Sequence, residues 1–298
     1  MRLLKRETHF DFIGKRRLAY ALSLIIIVIG MAAFFIRGEK NFGIDFTGGL
    51  LLQRHFTQPI NIKEIRLALE EVNLGGSTIQ ESDGGTTFII RTEKGASSLI
   101  DNKFQERFKY RIDPDSYLVR TEMVGPAIGH QLRRQATWAV IFSWIAIIAY
   151  VTIRYQFKFA VAGVIALVHD VLVTVAAFAL TRREINYPVI AALLVIIGYS
   201  INDTIVIYDR IRENMKLKKG GDLTKIFNDS INETLSRTIL TTLSTLVAVT
   251  VLFLIGGEAI NDFAFALLVG MVSGVYSTVY VATALVISWQ PKPKPKTA

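Results

Sequence analysis

Four ionisable residues fall inside stretches that are otherwise almost free of charge. His169 and Asp170 lie near the middle of one apolar run, Asp203 lies within Gly198-Tyr-Ser-Ile-Asn-Asp-Thr204 of another, and Arg237 stands at the start of a third. A charged side chain at the centre of a bilayer costs at least ~2.5 to 3.5 kcal/mol, so each of the four asks for a partner or a task. A carboxylate and a guanidinium placed together in such a setting form a proton-coupling pair, because movement of one changes the proton affinity of the other. Asp203 and Arg237 have the residue types for that chemistry; the plainer reading is a structural ion pair. Asn202, Thr204 and Tyr199 beside the aspartate are candidates for a polar relay or support. Thr234, Thr238, Thr241 and Thr245 recur at helical spacing around the arginine, and Thr241 joins the same candidate group. His169 and Asp170 are adjacent, so on a helix they point about 100° apart. The expectation is that they do not share a partner and that one at most joins a relay. No convergent ligand set stands near them, so no metal site and no cofactor are expected.

The elements that must position these residues are apolar runs long enough to cross ~30 Å of hydrocarbon. They lie at 18–36, 136–153, 159–180, 188–209, 238–255 and 263–288, which predicts six transmembrane helices with both termini on one side. The spans after the first occupy 136–289 and enclose a loop at 210–236. The segment 1–17 is basic and precedes a first span too long for a signal-peptide core, so 18–36 reads as a retained anchor. Spans four and five are sequential and run in opposite directions, which places Asp203 and Arg237 in the same half of the bilayer, within reach of one another.

Orientation follows from lysine and arginine in the short segments. Arg2, Lys5, Arg6, Lys15, Arg16 and Arg17 precede the first span, and Arg210, Arg212, Lys216, Lys218, Lys219 and Lys225 follow the fourth. Arg154, Lys158 and the tail 290–298 with Lys292, Lys294 and Lys296 belong to that side, against Arg182 and Arg183 on the other. Both termini are therefore expected in the cytoplasm of a multi-pass membrane protein. The net charge of +9 belongs to these flanks and not to a nucleic-acid surface. A mean hydropathy of +0.38 agrees with the membrane class, and the absence of cysteine excludes disulfides, thiolate metal sites and cysteine nucleophiles.

The stretch 37–135 is polar, mixed in charge and too long to count in the orientation rule, so it is expected as a folded extracytoplasmic domain. Its pattern predicts strands at 49–56, 78–81, 86–92 and 117–123 and helices at 62–72 and 96–110, a small α+β, ferredoxin-like sandwich. No serine, histidine and carboxylate cluster marks it as an enzyme, and no catalytic residue is expected. Gly43-Ile-Asp-Phe-Thr-Gly-Gly49 lacks the lysine and following helix of a phosphate loop. Gly270 and Gly274, followed by Ser277, put small residues on one face of the sixth span for close helix contact.

Five segments carry a resemblance: Gly43-Ile-Asp-Phe-Thr-Gly-Gly49, Glu122-Met-Val-Gly-Pro-Ala-Ile-Gly129, GYSINDTIVIYDRIREN at 198–214, SINETLSRTIL at 230–240 and GGEAINDFAFALLVG at 256–270. Together they resemble the SecF branch of the SecD/SecF family, in the resistance-nodulation-division superfamily, over nearly the whole chain. The resemblance implies a SecD partner with six spans of its own and association with the SecYEG channel and YajC. It also implies a task in late-stage preprotein translocation driven by the proton gradient, in contact with membrane lipid and without nucleic acid. It assigns the working carboxylate to Asp203 and the intramembrane arginine to Arg237. Gly43, Asp45, Gly48 and Gly49, with Gly125, Pro126 and Gly129, become hinges joining the outer domain to the spans. Two other functions remain open on the residues: a non-transporting scaffold or chaperone subunit of the translocon, and a small-molecule or lipid exporter of the same superfamily.

Overall fold

A computed structural model describes residues 8–92, 97–115, 117–218 and 221–290. The basic residues Arg2, Lys5, Arg6, Lys219, Lys292, Lys294 and Lys296, and Ala96 at the expected start of a helix, lie outside the described residues. The chain divides into two compact units, one of residues 1–41 and 137–298, the other of residues 42–136.

The first helix, α1 (Arg16–Arg37), is lined by Leu18, Leu22, Leu24, Ile25, Val28, Ile29 and Phe35, all exposed as befits a span with lipid on one side. Its last residue turns back on itself: the Arg37 guanidinium donates to the carbonyls of Phe178, Ala179 and Arg183. These carbonyls lie at the end of a later span, those of Phe178 and Ala179 accepting also from the amides of Arg183 and Arg182, and a cation there meets the negative end of that helix.

The second unit begins with a four-residue helix, α2 (Ile44–Thr47), and continues β1 (Gly49–His55), α3 (Ile62–Glu70), β2 (Thr78–Ser82), β3 (Thr87–Thr92), α4 (Ser97–Arg107) and β4 (Leu118–Val124). The strands are antiparallel in the order β2-β3-β1-β4. Strand order and helix placement are those of a split βαβ, so the ferredoxin-like pattern expected from 49–123 is the fold observed. Phe56 is fully buried at the centre of its core, with Phe88, Phe104, Phe108 and Tyr117 packed edge-on or tilted around it at 5.6 to 6.0 Å between ring centroids. The α3 helix starts where Asn61 caps it through Lys63 N at 2.9 Å.

One charge sits inside this core. Arg54 is 1% exposed and meets the Asp101 carboxylate through Nε at 2.7 Å and Nη2 at 3.0 Å, while Nη1 donates to the carbonyls of Gln53 and Arg120. The Tyr117 hydroxyl donates to the same carboxylate at 3.1 Å, and burial followed by the Asp101 charge pushes its ionisation well above the ordinary range. A two-pronged guanidinium contact fixes β1, α4 and the start of β4 together.

The remaining helices are α5 (Pro126–Arg154), α6 (Phe157–Thr181), α7 (Tyr187–Leu217), α8 (Leu223–Ile255), α9 (Glu258–Ser277) and α10 (Thr283–Ser288), the last two joined by a π-helical turn at Thr278–Ala282. With α1 they supply six helical segments long and apolar enough to cross a membrane, among the described residues. The sixth span is thus one continuous helical path with a π turn in it, a feature the periodicity of 263–288 does not reveal. Helices α6, α7 and α9 carry most of the buried residues, whereas α1, α5 and α8 leave broad apolar faces exposed. Asn186 caps α7 with Pro188 in its first turn, and Asp222 caps α8 through Thr224 N. Ahead of α1, the chain is pinned to α8: Phe10 N bonds Asn232, Phe12 N and Ile13 N both bond Asn228, and Asn228 donates to Asp11.

Removing the carboxylate beneath Arg54 leaves a buried guanidinium uncompensated. Asp101→Ala is expected to destabilise the second unit by about 3 kcal/mol and Tyr117→Phe by about 1 kcal/mol. The check is hydrogen exchange of β1 and β4 amides in the full-length protein, where the first substitution should speed exchange by roughly 100-fold and the second by far less.

Candidate functional site

The polar interior of the first unit is assembled where α6, α7 and α9 meet, and it is built on close approach. A Cβ added to Gly270 would lie 2.2 Å from Ile196 Cδ1, and one added to Gly274 would lie 3.1 Å from Ser200 Cβ. These two glycines therefore bring α9 directly against α7, as small residues do where helices pack without a hydrophobic drive between them. Gly30 performs the same service between α1 and α6, facing Ala176.

At the bottom of that contact sits Asp170, fully buried. Its Oδ1 accepts from Ser273 Oγ at 2.6 Å, and its Oδ2 accepts from Ser200 Oγ and Ser277 Oγ, each at 2.8 Å. His169 Nδ1 lies 3.1 Å from Oδ1, and its Nε2 lies 3.0 Å from Ser23 Oγ on α1. The two neighbours share no third partner, His169 reaching α1 and Asp170 reaching α7 and α9, but they are bonded to each other, which the sequence reading did not foresee. The 100° between their Cα–Cβ directions is bridged by side-chain rotation, because the imidazole swings back along α6 to reach the next carboxylate.

One helical turn further along α7, Thr204 Oγ1 bonds Thr278 Oγ1 at 2.8 Å, at the first residue of the π turn. Tyr199 reaches Thr245 Oγ1 at 3.2 Å, and Asn202 is exposed.

Asp203 is 4% exposed and turned toward α8, where Oδ2 accepts from Thr242 Oγ1 at 3.4 Å. The buried face of α8 is Ser230, Thr234, Thr238 and Thr242, four residues apart. This corrects the expected stripe of Thr234, Thr238, Thr241 and Thr245: Thr241 is exposed and bonds back to the carbonyls of Arg237 and Thr238. The sequence offers threonines at both registers, and only packing against α7 chooses. Along the buried row, Thr238 Oγ1 has no hydrogen-bond partner among the described residues. At its far end Asn214 bonds both Ser230 and Glu233, and Glu233 pairs with Arg210.

Arg237 is exposed, and no ion pair joins it to Asp203. The two share one half of the helix pair, as antiparallel spans require, but the guanidinium leaves α8 on its exposed side. The sequence reading missed Arg183, which meets Asp262 at 2.5 Å and Asn261 at 2.7 Å and lies over the Phe265 ring at 4.5 Å. The sequence marks Arg183 only as a loop charge used for orientation; its partners 78 and 79 residues on are set by the tertiary structure. Hinge residues Gly48, Pro126 and Gly129 lie together within the second unit: Gly48 has φ +73° and a Cβ there would meet Pro126 Cα at 2.9 Å, while one on Gly129 would meet Gly48 N at 3.0 Å. Gly43 precedes α2, Asp45 lies within it, Gly49 opens β1 and Gly125 adjoins Pro126.

Because Gly270 and Gly274 set the separation of α9 from α7, enlarging them should act on Asp170. Gly270→Leu is expected to lower stability by about 1 to 3 kcal/mol through overpacking against Ile196, and Gly274→Ala to lower it less. Thermal unfolding of the detergent-solubilised protein reads both.

Comparison with known proteins agrees with this architecture. Residues 105–292 match the family model of the protein export membrane protein SecD/SecF, C-terminal. A protein translocase subunit SecF of Desulfurispirillum indicum is 44% identical over 96% of this chain and 94% of its own, and that of Calditerrivibrio nitroreducens is 39% identical over 96% of each. The crystal structure of SecDF, a translocon-associated membrane protein from Thermus thermophilus, superposes with a TM-score of 0.86 at 36% identity, covering 97% of this chain and 39% of that one. A SecDF structure in a super-membrane-facing form gives 0.70 at the same identity. The chain thus spans nearly the full length of the curated relatives but well under half of the SecDF chain, and it belongs to the SecF group of the SecD/SecF family of protein-export membrane proteins.

Proposed function

We propose that this protein is the SecF subunit of a bacterial Sec export machine, acting with a SecD partner to draw on the proton gradient during late-stage preprotein translocation. The observation that carries the reading is Asp203. It is a carboxylate buried in a membrane span, reached by a single long hydrogen bond from Thr242. Asp170 by contrast is held by three serines and a histidine. A buried carboxylate with so little fixed around it is where a proton can bind and leave without dismantling the helix packing.

The buried hydroxyl row Ser230-Thr234-Thr238-Thr242 supports a route to it. It extends about 18 Å along α8, at 1.5 Å per residue, from the polar cluster of Asn214 and Glu233 to the carboxylate. The unpaired Thr238 hydroxyl is free to bond water in that row.

Arg237 supports a partner. A membrane-crossing length of about 20 residues counted back from Ile255 ends beside it, so the guanidinium lies at the lipid boundary on an exposed face shared with Thr241 and Ser244. Such a face is suited to protein and not to hydrocarbon. That the SecDF relative is about two and a half times this chain's length is consistent with a second six-span half there. SecYEG, YajC and the preprotein follow as partners, and membrane lipid covers the apolar faces of α1 and α5. The termini and the loop 210–236 are assigned to the cytoplasm by their lysines and arginines and the second unit to the outer face, with the glycine motifs Gly43 to Gly49 and Gly125 to Gly129 as the place where that unit can change its attitude.

The test is export in vesicles containing this chain and SecD under an imposed proton gradient, with assembly verified for each variant. Asp203→Asn and Arg237→Met are expected to assemble and to lose gradient-dependent export at least tenfold. If Asp203→Asn exports at the wild-type rate, the protein is a scaffold and the proton site lies elsewhere. Thr242→Val, which removes only the one hydroxyl bonded to the carboxylate, is expected to slow gradient-dependent export by roughly fivefold.

A further inference from the structure

The His169–Asp170 pair is not needed for the proposal at Asp203, and its hydrogen-bond order carries information of its own. Tyr276 OH lies 2.6 Å from the Ala19 carbonyl, which has no hydrogen to give, so the phenol is the donor. Its oxygen is then an acceptor, and Ser23 Oγ stands 3.2 Å away as donor to it. With the single serine hydrogen spent there, the 3.0 Å contact between Ser23 Oγ and His169 Nε2 is a hydrogen bond only if Nε2 carries a hydrogen. At the other ring nitrogen, the 3.1 Å contact between Nδ1 and Asp170 Oδ1 requires one hydrogen between them, and a carboxylate already accepting from Ser200, Ser273 and Ser277 leaves that hydrogen on Nδ1. Every contact in the chain from Asp170 to Ala19 is therefore satisfied at once by an imidazolium beside a carboxylate. Such a pair is neutral as a whole, and the face of Tyr276 stacks on the imidazole at 5.8 Å and 22°.

Take one proton away and the order changes. Nε2 becomes an acceptor, the Ser23 hydrogen turns to it, and the Ser23–Tyr276 bond has no donor left. One proton decides whether the Ser23 hydroxyl is given to α9 or to α6, while the Tyr276–Ala19 bond joins α9 to α1 in either state. We propose that His169 and Asp170 form a second proton-binding site of this protein, whose occupancy makes or releases the Ser23–Tyr276 tether between α1 and α9.

The surroundings permit this. Of the elements packed on the pair, α1 contributes Ser23, α7 Ser200, and α9 Ser273, Tyr276 and Ser277, and Tyr280 of the π turn meets the Tyr276 ring at 5.2 Å; among the described residues the titratable groups hydrogen-bonded within the network are His169, Asp170 and Tyr276. Asp203 on α7 faces α8 instead. The tethered helix is the one from whose end, through residues 38–41, the chain passes into the second unit.

The experiment is ¹⁵N-histidine NMR of the full-length protein in lipid bilayers from about pH 5 to about pH 9, with the His169 signals identified by their loss in His169→Gln. The expected result is a ring protonated on both nitrogens at the acid end and on Nδ1 alone at the basic end. Tyr276→Phe removes the oxygen that takes the Ser23 hydrogen, frees that hydrogen for Nε2, and is expected to move the midpoint down by about one pH unit. In the wild type, the ¹³Cζ signal of Tyr276 is expected to change at the same midpoint, which keeps the test decisive even if the substituted protein is unstable. A His169 ring that keeps one protonation state over the whole range, a midpoint unmoved in folded Tyr276→Phe, or a Tyr276 signal indifferent to it overturns the proposal. Because none of these readouts involves export, that failure leaves the assignment at Asp203 standing.

Discussion

The membrane unit is organised around one fully buried carboxylate. Asp170 is fully buried, and its two oxygens are occupied by hydroxyls from α7 and α9 and by the imidazole of its own helix. In a low-dielectric interior an uncompensated charge is costly, so the donors must be held in place, and this requires α7 and α9 to be near enough for serine side chains, among the shortest that carry a hydroxyl, to reach. Gly270 and Gly274 permit that distance. The polar centre and the glycine contact are one constraint seen from two sides.

A second consequence concerns the division of labour between two aspartates one helix apart. Asp170 is saturated with donors and belongs to the packing of α1, α6, α7 and α9, whereas Asp203 faces the less buried α8 and meets a single hydroxyl. Saturation keeps the Asp170 carboxylate ionised as part of the architecture and leaves the exchangeable proton of that site on His169, whereas sparse bonding leaves Asp203 itself able to change. The hydroxyl row on α8 lies beside this second environment, whereas the π turn begins at Thr278, directly after the Ser277 that bonds Asp170.

The second unit solves its own problem by different means. It has no cysteine to staple it and relies on the ring cluster around Phe56 and on Arg54, whose guanidinium is matched to Asp101 and two carbonyls. Nothing in the alternation of 49–56 signals that an arginine there is interior. Its partner lies 47 residues on, in the largely polar helix α4.

The sequence by itself determined the six spans, the α+β unit between the first two, and the residues worth watching, because hydrocarbon tolerates so few polar groups that composition alone exposes them. Which partners those residues take was decided only by tertiary structure. Asp203 and Arg237 look like a pair in the sequence and are not joined; His169 and Asp170 look like neighbours pointing apart and are bonded. Thr241 and Thr242 are equivalent in composition, and only one faces inward. The physical reason is the same in each case. Helical periodicity fixes the angle of a side chain about its own axis, but which neighbour stands at that angle, and at what distance, depends on how glycines and serines on distant helices let the bundle close.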